Sequence, residues 1–270
     1  MARILSVVWY RILPARFGGQ KGIAEFNEEL SRHHALYCLC ASNNDPAAAT
    51  YSVIPELPVS RSQVANPVNW FRIIRRARAL EATHLLLEHC YYGLAGILAK
   101  RILGISLIVH AHNIEYTRFW EMGKWWWPLL RVLEKITCRQ ADLVLFKTAE
   151  DLDFARDAFR LSAARCLAVP FGLNRKEVPG TAEKSAAARW VREKYGIDPD
   201  TKILLFSGTL DYTPNARALE LIVRTMIPLL ASMTDQPFRV LACGRILFPE
   251  FHPLLELKAD QYTYAGLVED

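Results

Sequence analysis

Three segments of the chain gather residues able to do chemistry. In LIVHAHNIEYTRFW an apolar run leads straight into His110, His112, Asn113 and Glu115. Ionisable groups at the end of a buried strand are costly to leave without partners or purpose, and the carboxyl ends of strands are where open α/β sheets hold ligands. A second segment carries Gly18 and Gly19 ahead of an amphipathic stretch. Such glycines let the backbone approach a ligand, and a helix start offers free N–H groups to a phosphate. A loop that merely needs flexible residues reads the same way, so both readings stay open. The third segment, ILLFSGTLDYTPNARALELI, puts Ser207, Gly208 and Thr209 between a strand and a helix, and VLACGRI and YAGLVED follow it. Each places a glycine at the carboxyl end of a strand, as nucleotide binding requires.

Metal chemistry has no matching pattern. There is no DxD between short apolar runs and no HExxH, and Asp151 and Asp153 fall on a predicted helix, where side chains two apart diverge. They read as a solvated face, and no metal or cofactor is expected.

Strand and helix alternate from the first residue, which predicts parallel sheets covered by helices. Predicted strands are 4–9, 36–40, 85–88, 106–110, 143–146 and 166–169. Predicted helices are 23–32, 68–80, 93–103, 128–140 and 149–159, and residues 41–59 read as a loop. The polar stretch from Asn174 to Ala188 breaks the rhythm. It divides a domain over 1–174 from a second over 189–270, with 175–188 as linker. The second shows only three strands, at 203–206, 238–242 and 262–265, fewer than a doubly wound domain usually has.

Composition bounds the partners. The 270 residues are 51% hydrophobic, enough for real cores, and the net charge of +5 is spread along the chain except around Arg72 to Arg78. No nucleic-acid partner is implied. Six cysteines without a CxxC pair suit a reducing cytoplasm. The opening MARILSVVWY is too short for a signal peptide or a membrane span.

Taken in order, the Gly-Gly loop, HNIE, ADLVLFKTAED, VPFGLN, SGTLDYTPN, CGR and AGLVED resemble the landmarks of the family 4 retaining glycosyltransferases. The resemblance runs along essentially the whole chain and is strongest to bacterial transferases that build cell-surface polysaccharide. It implies an α/β GT-B fold of two Rossmann-like, doubly wound parallel-sheet domains, the second incomplete. It also implies a nucleotide-sugar donor and a glycan or lipid-linked acceptor. By the same resemblance His112 lies beside the transferred sugar, with Asn113 and Glu115 on the acceptor side. Gly18 and Gly19 approach the donor phosphates or the acceptor, Ser207, Gly208 and Thr209 line the nucleotide side, and Arg245 lies near the base or phosphate. Two departures matter. Tyr212-Thr213-Pro214-Asn215 stands where many relatives carry an Arg-Lys pair, and the family's Glu-rich donor motif is expected beyond Asp270. The expectation is therefore a truncated chain, inactive as it stands. A noncatalytic remnant, or an epimerase or phosphorylase on the same fold, are the competing readings.

Trp125, Trp126 and Trp127 cannot all face one core, and Lys124 and Arg131 lie near them. Either these tryptophans pack a domain, or they meet an inner-leaflet membrane surface. Arg72, Arg75 and Arg76, read as one face opposite Phe71 and Ile74, point to the same surface. A cytoplasmic protein held peripherally on the inner membrane is the matching expectation.

Overall fold

The computed structural model describes residues 1–172, 177–245, 248–257 and 260–268. Asn174 at the expected domain boundary, Arg175 at the start of the expected linker, and Glu269 and Asp270 of AGLVED lie outside them. The chain divides into two compact units, Met1–Asn174 and Arg175–Asp270.

The first unit is built on seven parallel strands: β1 (Arg3–Val8), β2 (Ala35–Ala41), β3 (Ser52–Leu57), β4 (His84–Glu88), β5 (Ser106–Ala111), β6 (Leu143–Phe146) and β7 (Cys166–Ala168). Their order is β3-β2-β1-β4-β5-β6-β7, so the winding reverses between β1 and β4. Side chains alternate across the sheet. Leu5, Val7, Leu85, Leu87, Leu107 and Val109 enter one core with helices α2 (Pro67–Ala79), α3 (Gly93–Leu103), α5 (Trp127–Gln140) and α6 (Ala149–Phe159). Ile4, Val8, Leu86 and Ile108 enter the other, packed against Ile23, Phe26 and Leu30 of α1 (Gly18–His33).

Sequence and structure part in four places. Residues 52–57, read as loop, form the edge strand β3. Pro55 hides it from a propensity reading but is tolerated at an edge, where one side of the strand needs no partner. Helix α4 (Glu115–Glu121) follows the histidine strand, where the polar HNIE run showed no helical period. Residues 181–188 of the expected linker are the first half of α7 (Thr181–Tyr195), a helix with no buried residue and thus no apolar stripe to read. On α2 the buried stripe is Asn69, Ile73, Ile74 and Ala77, while Phe71 is exposed, so Phe71 does not share the apolar side with Ile74.

The second unit holds three parallel strands in the order β10-β9-β8: β8 (Lys202–Ser207), β9 (Phe238–Cys243) and β10 (Tyr262–Gly266). Helices α8 (Thr213–Leu221) and α9 (Ile227–Met233), joined by a π-helical turn at Ile222–Met226, cover one core through Leu219, Val223 and Ile227.

Close approach of α3 to α5 depends on Gly93: a Cβ there would meet Thr137 Oγ1 at 1.8 Å and its Cβ at 2.9 Å. Gly93→Ala should therefore destabilise the first unit by roughly 1–3 kcal/mol, the cost of overpacking. Adding Thr137→Ala should restore most of it. Urea unfolding of the single and double variants checks both.

Candidate functional site

The carboxyl ends of β1, β4, β5 and β6 collect the ionisable groups of the first unit, around the point where the winding reverses. Glu88 closes β4 and pairs in register with His110 on β5. Their side chains share a sheet face with His112, two residues on, while Ala111 joins the core on the opposite face. Glu88 Oε2 lies 3.0 Å from His110 Nδ1 and 2.6 Å from His112 Nε2, and all three side chains are buried. Burial alone would raise the Glu88 pKa; the electrostatic pull of His110 and the hydrogen bonds from His110 and His112 overcome it and hold the carboxyl well below the usual range. His112 moves the other way: burial pushes its pKa down to about 4, against the pull of Glu88, so the ring is neutral near pH 7.

A second carboxylate anchors the neighbouring layer. His89 follows Glu88 with φ +68°, a left-handed backbone that non-glycine residues rarely adopt. This turn brings its Nδ1 to 3.1 Å from Glu115 Oε1 and its ring to 4.5 Å from that of His112. Tyr91 Oη and an Arg118 N–H both donate to Glu115 Oε2 at 2.6 Å. Burial raises Glu115, but these partners prevail and its carboxyl stays ionised. Glu115 and Tyr116 in turn donate their backbone N–H groups to Glu134 of α5, at 2.8 and 3.0 Å, so a buried carboxyl caps α4. Burial foremost, then the Glu115 charge, pushes the Glu134 pKa up to about 7.

Two buried amides set the surrounding loops. Asn44 Oδ1 accepts from the backbone of Ile12 and Leu13, fixing the loop that leads from β1 to Gly18. Gln63 donates to the Trp9 carbonyl at 2.7 Å and accepts from Tyr92 Oη. Gly18 and Gly19 open α1 on the surface; nothing lies within 4 Å of a Cβ on Gly18, and Tyr10 Oη lies 3.9 Å from one on Gly19. Lys147 ends the β6 side of the site, buried, with its ammonium over Phe171 (4.4 Å) and Phe26 (5.5 Å).

The expected site residues thus separate by unit. His112, Asn113 and Glu115 come together, with Asn113 exposed and its amide 3.4 Å from Glu115. Glu115 itself has both oxygens occupied by protein groups, so it acts by positioning them. In the second unit Ser207 ends β8, Gly208 donates to the Cys243 carbonyl at 3.2 Å, and Asn215 holds the Thr209 carbonyl at 3.1 Å. A Cβ on Gly244 would strike the Gly208 carbonyl at 2.1 Å, so this crossing admits only glycine. Arg245 is exposed and lies 3.5 Å from Asp211. Glu88, His89, Tyr91, Arg118, Glu134 and Lys147 were not singled out from sequence. The Glu-His pair at the end of a predicted strand was the available signal for the first two.

Glu88, His110 and His112 each present one ligand-type atom within 4.8 Å of the others. Two ligands on a tetrahedral zinc with bonds of roughly 2.0–2.2 Å would stand about 3.3 Å apart. The 2.6 Å between Glu88 and His112 is instead a hydrogen-bond length.

The tryptophan segment divides. Trp126 packs on Phe119 at 4.5 Å and Trp127 on Tyr116 at 6.2 Å, both against the core, whereas Trp125 is 88% exposed. With Trp120, Leu129, Val132 and Ile136 it forms an exposed apolar face along α4 and α5. The arginines of α2 are only partly free. Arg76 pairs with Glu56, and Arg72 donates to Asn69 and to the Glu56 carbonyl, leaving Arg75 exposed. Among the described residues no helix is long and apolar enough to cross a membrane.

Comparison with known proteins follows the fold. The model of Glycosyltransferase Family 4 matches residues 18–177, more than half of the chain. No curated protein matches the sequence. Among solved structures, sucrose-phosphate synthase from Thermosynechococcus elongatus is 14% identical with a TM-score of 0.70, over 99% of this chain and 71% of that one. Anabaena HepE in complex with UDP and glucose is 15% identical with a TM-score of 0.63, over 99% and 70%. A lipopolysaccharide outer core galactosyltransferase is 11% identical with a TM-score of 0.58, over 98% and 68%. The fold is α/β of the GT-B type, with a second, three-stranded sheet.

The Glu134 cap carries a pH signature. Its folded pKa of about 7 exceeds the ordinary 4.5, so between these values the folded state binds more protons than the unfolded. Stability from this group is complete below about pH 4.5 and falls as pH rises to 7, by on the order of 3 kcal/mol. In Glu134→Gln that loss should vanish. The stability difference between wild type and variant should therefore decline across this window and level off above it, as read from urea unfolding at successive pH values.

Proposed function

Because the chain belongs to glycosyltransferase family 4, we propose that it moves a sugar, with retention, from a nucleotide-sugar donor to a glycan or lipid-linked acceptor in cell-surface polysaccharide synthesis. The observation that carries this reading is the convergence of His112, His89 and their buried carboxylates at the strand ends where the sheet reverses. HepE, which shares the fold, has been seen with UDP and glucose and with UDP-glucose, which supports the donor class. The lipopolysaccharide galactosyltransferase supports the acceptor class.

Transfer from a sugar nucleotide passes through oxocarbenium character and releases a diphosphate, which must be met by cations and N–H donors. In this reading Ser207, Gly208 and Thr209 line the nucleotide. Arg245, paired with Asp211 only across 3.5 Å at the surface, can turn to a phosphate. Gly18 and Gly19 offer the start of α1 to the donor phosphates or the acceptor. His112 faces the sugar, and Asn113 and the groups held by Glu115 face the acceptor. The exposed face of Trp120, Trp125, Leu129, Val132 and Ile136, with Lys124, Arg131 and Lys135 along it, supports a peripheral stay on an anionic inner leaflet. All six cysteines are thiols, in keeping with a cytoplasmic location.

Two measurements test this. With the donor motif expected beyond Asp270 restored, His112→Ala should lose most sugar transfer, roughly 100-fold or more, while nucleotide affinity stays near wild type, because the residues assigned to the nucleotide lie in the other unit. Normal turnover in that variant would remove the assignment. Trp125→Ser with Leu129→Ser should weaken binding to anionic vesicles at least about tenfold, since each withdraws an apolar side chain from the interface. Trp126→Ser and Trp127→Ser should lower stability instead, which thermal unfolding separates from binding.

A further inference from the structure

The buried triad constrains where protons sit. Glu88 is fully enclosed and ionised, so its oxygens only accept. Two ring nitrogens face it, His110 Nδ1 at 3.0 Å and His112 Nε2 at 2.6 Å, and each must carry a hydrogen. A neutral imidazole has one N–H, so a neutral His112 that donates through Nε2 keeps a bare lone pair on Nδ1. Among the described residues Nδ1 has no protein donor, although the ring is enclosed by His110 at 4.4 Å, His89 at 4.5 Å and Phe171 at 6.4 Å. His110 shows what a mere filler looks like: its second nitrogen, Nε2, is buried without a partner, and the ring lies 4.5 Å from Phe26.

We propose that Glu88 is a positioning residue that fixes His112 in its Nε2–H tautomer, so that Nδ1 is presented as a hydrogen-bond acceptor to a hydroxyl of the sugar substrate. The inference deepens the transferase reading and rests on it. His112 then neither supplies a proton nor acts as a cation; it accepts a hydroxyl hydrogen and orients the ring that bears it. A substrate lacking that hydroxyl leaves the lone pair unmet, which is how a site built for a hydrogen bond discriminates. Glu88 reaches the substrate only through the imidazole, so its effect should fall on turnover more than on nucleotide affinity.

The test uses the full chain with 15N-labelled histidine, without substrate, and reads long-range 1H–15N correlations at pH 7, with His112 assigned by its loss in His112→Ala. Wild type should show His112 protonated on Nε2 and bare on Nδ1. In Glu88→Gln one amide oxygen must serve two N–H groups. His112 should then show mixed tautomers, and kcat should fall roughly 10- to 100-fold with KM for the nucleotide sugar nearly unchanged. Glu88→Asp should recover the wild-type pattern and part of kcat. A proton on His112 Nδ1 in the wild type overturns the inference, as does a Glu88→Gln enzyme with unaltered spectrum and turnover. If Glu88→Gln does not fold, the wild-type spectrum and Glu88→Asp decide. Turnover is read on the chain completed with the donor motif expected beyond Asp270; a correct spectrum with no sugar transfer there overturns the transferase reading and, with it, the hydroxyl assignment.

Discussion

A negative charge sealed inside the first unit is the constraint on which the polar cluster at its strand ends depends. Glu88 could not stay ionised at the centre of the sheet without partners, because the desolvation cost of a lone carboxylate is many kcal/mol. The partners come from the adjacent strand, one in register at His110 and one a residue beyond the strand's end at His112. Parallel pairing of β4 with β5 therefore does more than build the sheet. It sets two imidazoles on one carboxylate, and a one-residue slip would turn Glu88 and His110 to the opposite face.

Around this centre, polar groups are placed by other polar groups. Glu134 caps α4 and so fixes Glu115; Glu115 gathers His89, Tyr91 and Arg118; His89 holds a left-handed backbone that brings its ring beside His112. Backbone strain of this kind, of order 1–3 kcal/mol, persists only where neighbours over-determine it. Here the hydrogen bond to Glu115 and the backbone bond from His89 N–H to the His110 carbonyl do so.

Much of this was legible in the residues, and the gaps have physical causes. The alternation of apolar strands and amphipathic helices marked six of the seven strands in the first unit and all three in the second, because parallel strands are written as continuous apolar runs, even at β8, whose Leu204 and Leu205 are exposed. β3 escaped because Pro55 is read as a breaker, and only an edge position excuses it. α7 escaped because a helix that buries nothing has no period to display. His112 could be found because two histidines after an apolar strand are conspicuous. For Glu88 the only signal was its place beside His89 at a strand end, where a glutamate also reads as the usual polar exit to solvent, and its burial depends on a strand 22 residues further along the chain. Glu134 sits in a helical pattern where a carboxylate normally reads as surface. Nothing local reveals that it turns inward to cap another helix.

The strand ends of the two units offer different chemistry. At the first, the charged side chains already have partners: Glu88 the hydrogen bonds of two imidazoles, Glu115 the charge of Arg118, and Lys147 the faces of two phenylalanines and the field of Glu88. Such a surface offers oriented dipoles and lone pairs, suited to neutral hydroxyls, and it need not reorganise when they bind. At the second, Gly208 and Gly244 carry no side chain at the strand ends, and the Gly208 carbonyl lies so close to Gly244 that a methyl group there could not enter. What that end offers is one exposed arginine, whose ion pair is long and solvated and therefore weakly held. An anionic group can compete for such an arginine at little cost.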